Sequence, residues 1–250
     1  MRKAGRACRP GLRGVLALWA CLGLAFGPAA AASAEPVDGA AIVAEISRRV
    51  AKIEQEYPGN YSRRQIVRTV LDPDDGTVRE VTKIEADVWE FVGEKQQMKI
   101  LSCEKDGEKL SPDECEPDLQ GDPMYRIFGP EGKKYYDIKW TGDTTIDGKP
   151  AHQVEVIARE KTARHFQGNM YFATGSLDVL RVEGGLAKYP FGLKALSLEL
   201  DFVDVNGSSM LGHGTSDLTI YVPLLYNQRM VTKFTAADQK RLTASQRPKD

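Results

Sequence analysis

Leu193-Lys194-Ala195-Leu196-Ser197-Leu198-Glu199-Leu200-Asp201-Phe202-Val203-Asp204-Val205 alternates strictly through its middle: Leu196, Leu198, Leu200 and Phe202 fall on one side, Ser197, Glu199 and Asp201 on the other. Side chains of a β-strand point alternately to opposite faces, so this period of two describes a strand with one apolar and one wet face. Asn206-Gly207 follows, a dipeptide suited to the positive φ angles of a two-residue hairpin.

The same alternation recurs outward from that stretch. Phe166, Met170 and Phe172 oppose His165, Gln167 and Asn169; Tyr136, Ile138 and Trp140 oppose Asp137 and Lys139; Trp89 and Phe91 flank Glu90. Strands are expected over 61–71, 77–92, 95–103, 135–140, 152–159, 164–173, 177–182, 193–205, 215–223 and 228–235. Turn formers separate them: Asp72 to Gly76, Asp147-Gly148, Thr174-Gly175-Ser176 and Gly184-Gly185. One-sided strands at short spacing favour an antiparallel meander over a parallel α/β sheet. The segment 104–132 is polar and rich in Pro and Gly, an irregular excursion with a single helical turn, and 237–250 is a polar tail expected to fray.

One helix interrupts the pattern. Ile42, Ile46, Val50, Ile53 and Tyr57 lie three and four apart behind Asp38, a capping residue, and Pro58-Gly59 closes the run. An amphipathic helix over 39–57 must lay its stripe on the apolar face of the sheet. A curved antiparallel sheet, an unclosed β-barrel wrapped around this helix, satisfies both patterns; a two-layer sandwich is the alternative.

Ahead of the helix, residues 1–34 read as an export signal. Arg2, Lys3, Arg6, Arg9 and Arg13 precede an apolar run from Val15 to Phe26, and Ala32-Ser33-Ala34 supplies small residues at the cleavage position. The run is too short to span a bilayer. Lipid attachment at Cys21 is the rival, poorly served by the bulky Trp19. Export across the inner membrane makes the protein periplasmic, and residues 35–250 form one domain. The whole chain has 34 basic and 35 acidic side chains; removing the leader leaves 29 against 35, a net charge near −6. That balance argues against nucleic acid and against an anionic membrane face as electrostatic partners.

Of four cysteines, Cys103 and Cys115 lie outside the leader. In an exported chain they are best paired as a disulfide; their spacing suits neither a redox Cys-x-x-Cys nor a compact zinc site. Catalytic signatures do not emerge. His152, His165 and His213 sit in separate segments, His165 on the wet face of its strand and His213 in a loop. Neither a nucleophile elbow, a phosphate loop nor a His-Glu-x-x-His pattern occurs. No catalytic residue, metal or cofactor is assigned, and Asp72 to Asp75 read as a turn rather than a calcium loop.

What remains is an apolar sheet face with a single helix to cover it. Either it is all core, or part stays open for an acyl chain, whose burial is worth about 0.8 kcal/mol per methylene. Trp89, Phe91, Ile138, Trp140, Val154, Val156, Met170, Phe172, Leu196, Leu198, Leu200 and Phe202 are the candidate cavity positions, with Met98, Met124 and Met170 as adaptable thioethers.

The layout resembles the LolA/LolB-like superfamily of bacterial periplasmic lipoprotein carriers. The likeness rests on Thr144 to Ala151 leading into the strand 152–158, on Gly168 to Glu183 as strand–turn–strand, and on the strand pair around Asn206-Gly207. It implies an unclosed β-barrel, a helical lid and a non-enzymatic carrier that binds acyl chains of lipid or lipoprotein for transfer toward the outer membrane. The alternative within that fold is a sensory module that binds a membrane-anchored protein partner. The excursion 104–132 with its cysteine pair departs from the family pattern, and none of Arg63, Arg64 and Arg68 can be matched to a lid-latching role.

Overall fold

A computed structural model describes residues 38–92, 94–115, 127–128 and 132–247. The export signal, Cys21, Met124 and much of the excursion lie outside them. The described residues form one helix of substance and a single eleven-stranded sheet. In chain order the elements are α1 (Gly39–Glu56), β1 (Gly59–Leu71), β2 (Val78–Phe91), β3 (Gln97–Lys105), β4 (Glu108–Leu110), α2 (Gly132–Tyr135), β5 (Tyr136–Ile146), β6 (Lys149–Ala158), β7 (Phe166–Ala173), β8 (Val179–Leu186), β9 (Leu193–Val205), β10 (Ser208–Val222) and β11 (Tyr226–Leu242).

Strand order across the sheet is β4-β3-β2-β1-β11-β10-β9-β8-β7-β6-β5, every neighbour antiparallel. The edge strands β4 and β5 do not pair with each other, so the barrel is unclosed. Consecutive strands are neighbours in the sheet except β4 and β5, which lie at its opposite edges; the one pairing between strands not consecutive in the chain sets β11 beside β1. Tight hairpins fix the register, with Asp147-Gly148 and Asn206-Gly207 at positive φ.

Asp38 caps α1 by accepting from the amides of Ala40 and Ala41 at 3.0 and 3.2 Å. The helix starts close to the sheet. A Cβ on Gly39 would stand 2.8 Å from the ring of Trp140, a distance only glycine permits without displacement. From there Ile42, Val43, Ile46 and Val50 pack on Tyr136, Val154, Val156, Phe166, Met170, Phe172 and Val182. A second cluster occupies the other half of the sheet: Ile66, Ile84, Ala86 and Val88 under Cys103, Cys115 and Leu110. The disulfide joins Cys103 of β3 to Cys115 beyond β4, with Cα atoms 6.3 Å apart, and the segment it holds packs over the inner face of β1 and β2.

Several sequence expectations are corrected here. Residues 237–242 do not fray as a tail but continue β11, paired to the start of β1. The stretch 141–146 extends β5 beyond Trp140, because Thr144, Thr145 and Ile146 pair with Ala151, Pro150 and Lys149 across the hairpin. His213 belongs to β10 rather than a loop and meets Asp201 at 2.9 Å. His165 is not on a wet face: it precedes β7 and is 1% exposed, enclosed by the rings of Tyr135 and Tyr136 and bonded to Thr162 Oγ1 at 2.8 Å.

Candidate functional site

The face that α1 covers is divided unevenly. Under the first half of the helix Val154, Val156 and Phe172 have no exposure and Met170 has 8%, so these four are filled core. Ile138 and Trp140 belong to the same half, paired across β5 and β6 with Val156 and Val154. Toward β9 the cover thins, and Leu196, Leu198, Leu200 and Phe202 are only half-buried. The register Val182↔Leu200↔Gly214 and Gly184↔Leu198↔Ser216 places glycine or serine beside these leucines. Leu198 therefore lacks a large neighbour on either flank, while the Phe234 ring and Leu200 crowd together over Gly214.

Between the second half of α1 and this thin region lies a cavity of about 320 Å3. Val50 and Ile53 form its helical wall, Val179, Phe202, Met210 and Leu211 its apolar floor. Leu177, at the turn between β7 and β8, closes one side. Its volume sits at the lower end of the range of about 300–1,000 Å3 usual for small-molecule pockets. An ion pair between Arg49 and Asp178, at 2.6 Å, fastens the helix to that turn at the cavity margin.

The polar part of the lining is shared among α1, the β7–β8 turn and the strands, and includes Arg49, Glu54, Asp178 and Arg241. Arg241, near the end of β11, donates to the Ser209 carbonyl at 2.8 Å and to Asn60 Oδ1 at 3.5 Å. Both acceptors are neutral, and among the described residues no carboxylate lies within ion-pair distance. Burial, opposed in part by the charge of Asp178, holds its pKa below arginine's ordinary value. A guanidinium cannot escape that cost by losing its proton in the ordinary pH range, so it remains a cation facing a mostly apolar space. Glu90 also borders the cavity but is committed to Arg64, 2.6 Å away, and to Gln96 at 3.0 Å.

Glu90 explains a second correction. Trp89 and Phe91 do not share the face of the cavity. In β2 the inward positions are Ile84, Ala86, Val88 and Glu90, opposite Ile66, Arg64, Ser62 and Asn60 of β1. Trp89 stands on the outer face, its ring 5.5 Å from that of Tyr61, in a cluster where Arg63 and Tyr61 both bond Asp87. Phe91 is buried against Gly59 and lies beneath the Arg247 guanidinium. The alternation Trp-Glu-Phe was misleading because a buried arginine on β1 draws the glutamate inward.

Two more cavities, of about 490 and 410 Å3, flank the disulfide segment. The larger borders β1, β2 and β3 beside Leu110 and Pro112; the other is polar, with Arg68, Glu80, Lys105 and Glu114 in its wall. We take neither as the site: an apolar ligand in the polar one would have to strip water from those charges, and no side chain of α1 lines either, so neither has a helical cover that could lift. Among the described residues no cluster of three His, Cys, Asp or Glu side chains could hold a metal, and no helix is long and apolar enough to cross a membrane.

Of the twelve positions expected to line a cavity, Phe202 lines this one. Leu196, Leu198 and Leu200 continue its floor as a half-buried row, six are core or core margin under α1, and two face away. The helical lid agrees with the expectation drawn from the family resemblance, but Val50 and Ile53 as its wall, and Met210, Leu211 and Arg241, were not among the expected positions. For the helix a signal existed, since Val50 and Ile53 belong to the apolar stripe that must face the sheet.

No family model matches the chain, and no curated relative does. Among solved structures the fold is similar to that of LolA-superfamily proteins. A putative outer membrane lipoprotein-sorting protein domain from Vibrio parahaemolyticus aligns over 82% of this chain and 94% of its own, at 10% identity and a TM-score of 0.45. The LolA superfamily protein NE2245 from Nitrosomonas europaea aligns over 83% and 94%, at 10% identity and 0.40. The MucA/MucB complex of Pseudomonas aeruginosa aligns over 80% and 100%, at 10% identity and 0.27. These likenesses concern the fold and assign no residue a role.

Proposed function

We propose that the chain is a non-enzymatic periplasmic carrier that shelters the acyl part of a lipid or lipoprotein between α1 and the sheet. The observation that carries this reading is the cavity itself: a space of about 320 Å3, roofed by a helix, floored by apolar side chains and continued along β9 by half-buried leucines. Acyl burial needs no catalytic group and no cofactor, only such a surface with a removable cover. An ion pair, Arg49–Asp178, ties the second half of the helix to the sheet, with Arg49 more than a third exposed. A cover of that kind can lift without unfolding the sheet.

The test is a charge placed in the roof. Ile53→Glu puts a carboxylate over the cavity at a position that is only half-buried, so the domain should fold with an unchanged circular dichroism spectrum. Displacement of a fluorescent fatty acid should then weaken by on the order of tenfold or more. Unaltered binding would place the ligand elsewhere. Absence of acyl binding by the parent protein, together with a cross-linked membrane-anchored protein partner, would replace the carrier with the interaction module.

A further inference from the structure

Three of the hairpin turns in this chain place an Asp or Asn at positive φ with glycine next: Asp106-Gly107, Asp147-Gly148 and Asn206-Gly207. These are the residues such turns favour. The turn joining β10 to β11 departs from that practice. Its sequence is Pro223-Leu224-Leu225, and Leu224 adopts φ 65°, a conformation in which leucine is strained. Leu177 carries similar strain at φ 57° but packs against the core beneath α1. Leu224 gains nothing of the kind, for its side chain is fully exposed, and Leu225 beside it is 83% exposed.

A second loop brings more apolar surface to the same end of the sheet. The amide of Tyr221 donates to the Gly192 carbonyl at 2.7 Å, so the β8–β9 connection lies against the end of β10. Phe191, next to that contact, is 91% exposed. Tyr189, Tyr221 and Tyr226, each partly exposed, stand just behind the apex. Next come Lys188 and Lys194, the latter with its ammonium 6.0 Å from the Tyr221 ring centre. The two loops, 186–195 and 220–228, hold these two lysines and no acidic residue, although acidic side chains outnumber basic ones in the chain.

We propose that this end of the sheet is a membrane-contact tip that inserts Leu224, Leu225 and Phe191 into the interfacial layer of an anionic phospholipid bilayer. Single exposed apolar residues are ordinary, but an apolar apex backed by tyrosines and then by lysines follows the layering of a bilayer surface: acyl chains, the headgroup boundary, phosphates. The lysines make the tip locally complementary to anionic headgroups while the rest of the molecule is not, which orients the protein rather than gluing it down. The surface is separate from the acyl cavity, and its role does not depend on what that cavity holds.

Flotation of the purified protein with vesicles of phosphatidylcholine mixed with phosphatidylglycerol tests this directly. The parent protein should float. The double variant Leu224→Ser, Leu225→Ser should bind on the order of tenfold less or weaker, since two apolar side chains no longer leave water. Lys188→Ala with Lys194→Ala should reduce binding to the mixed vesicles to the level seen with phosphatidylcholine alone. All four side chains lie outside the core clusters, so thermal melting should be unchanged. As a readout independent of affinity, Phe191→Trp should shift its emission to the blue when vesicles are added. A parent protein that floats with neither vesicle overturns the proposal, as does a serine variant that floats like the parent. Self-association abolished by the same serine substitutions would make the tip an interface between copies instead.

Discussion

Arg64 shows how much one side chain can decide. Its side chain is 8% exposed on the inner face of the sheet, bonded to Ser62 and Glu90, with its guanidinium 5.2 Å above the Phe234 ring. Arg64→Ala would strand Glu90 and uncover Phe234, and should cost about 3 kcal/mol in urea unfolding. Arg64→Met, which keeps the bulk over Phe234, should cost less. Asp87 on the outer face makes a pH-dependent contribution. Burial raises its pKa, but the hydrogen bonds from Arg63 and Tyr61 outweigh that and leave it below the ordinary carboxylate value. A depressed folded pKa supplies stability that is present above the unfolded value of about 3.9 and is lost as pH falls through the folded one. Asp87→Asn should therefore lower stability at neutral pH and flatten the acid limb of the curve, read by thermal melting between neutral and acid buffers. Both arginine clusters were invisible in the sequence, where charged residues in a strand read as a wet face. Arg64 is inside because Glu90 and an aromatic ring give its charge somewhere to go.

Secondary-structure elements were far more legible. The sequence signals placed α1 to within a residue, since Asp38, the stripe from Ile42 to Tyr57 and Pro58-Gly59 point independently to one answer. The hairpins at Asp147-Gly148 and Asn206-Gly207 fell where their dipeptides put them. The ends of strands were harder, and β5 and β11 run on through threonines and charged residues because their neighbours supply the hydrogen bonds. Two predictions belong to this scale. Asp38→Ala removes the cap that satisfies two amides of α1 and should cost about 1 kcal/mol, read as a lower melting temperature. If α1 is a lid, the same variant should also release bound fatty acid faster. Opening the Cys103–Cys115 loop with Cys103→Ser and Cys115→Ser should cost about 3 kcal/mol in the chain-entropy account and loosen the cover over Ile84 and Val88. Hydrogen exchange of β2 and β3 amides should then accelerate while that of β6 and β7 stays put.

At the scale of the molecule, the sheet is too wide for its helix, and the proposed carrier function rests on that mismatch. A single α1 fills the space over β5 to β8, the disulfide segment covers β1 to β3, and the strip along β9 and β10 between them is left with half-buried leucines and a cavity. The sequence announced an excess of apolar sheet face over helix but not where the excess would fall. That depends on the order of strands, and especially on β11 returning beside β1, a long-range pairing that no local pattern encodes. The central claim is that the cavity under the second half of α1, continued by the half-buried row along β9, holds an acyl chain. Native mass spectrometry of the protein released gently from the cell envelope, followed by organic extraction, measures this most directly. The account predicts a population heavier than the bare polypeptide by the mass of an acyl-bearing lipid or lipoprotein, which extraction recovers and Ile53→Glu abolishes. Bare polypeptide from every preparation, with no uptake when lipid is supplied, would contradict it.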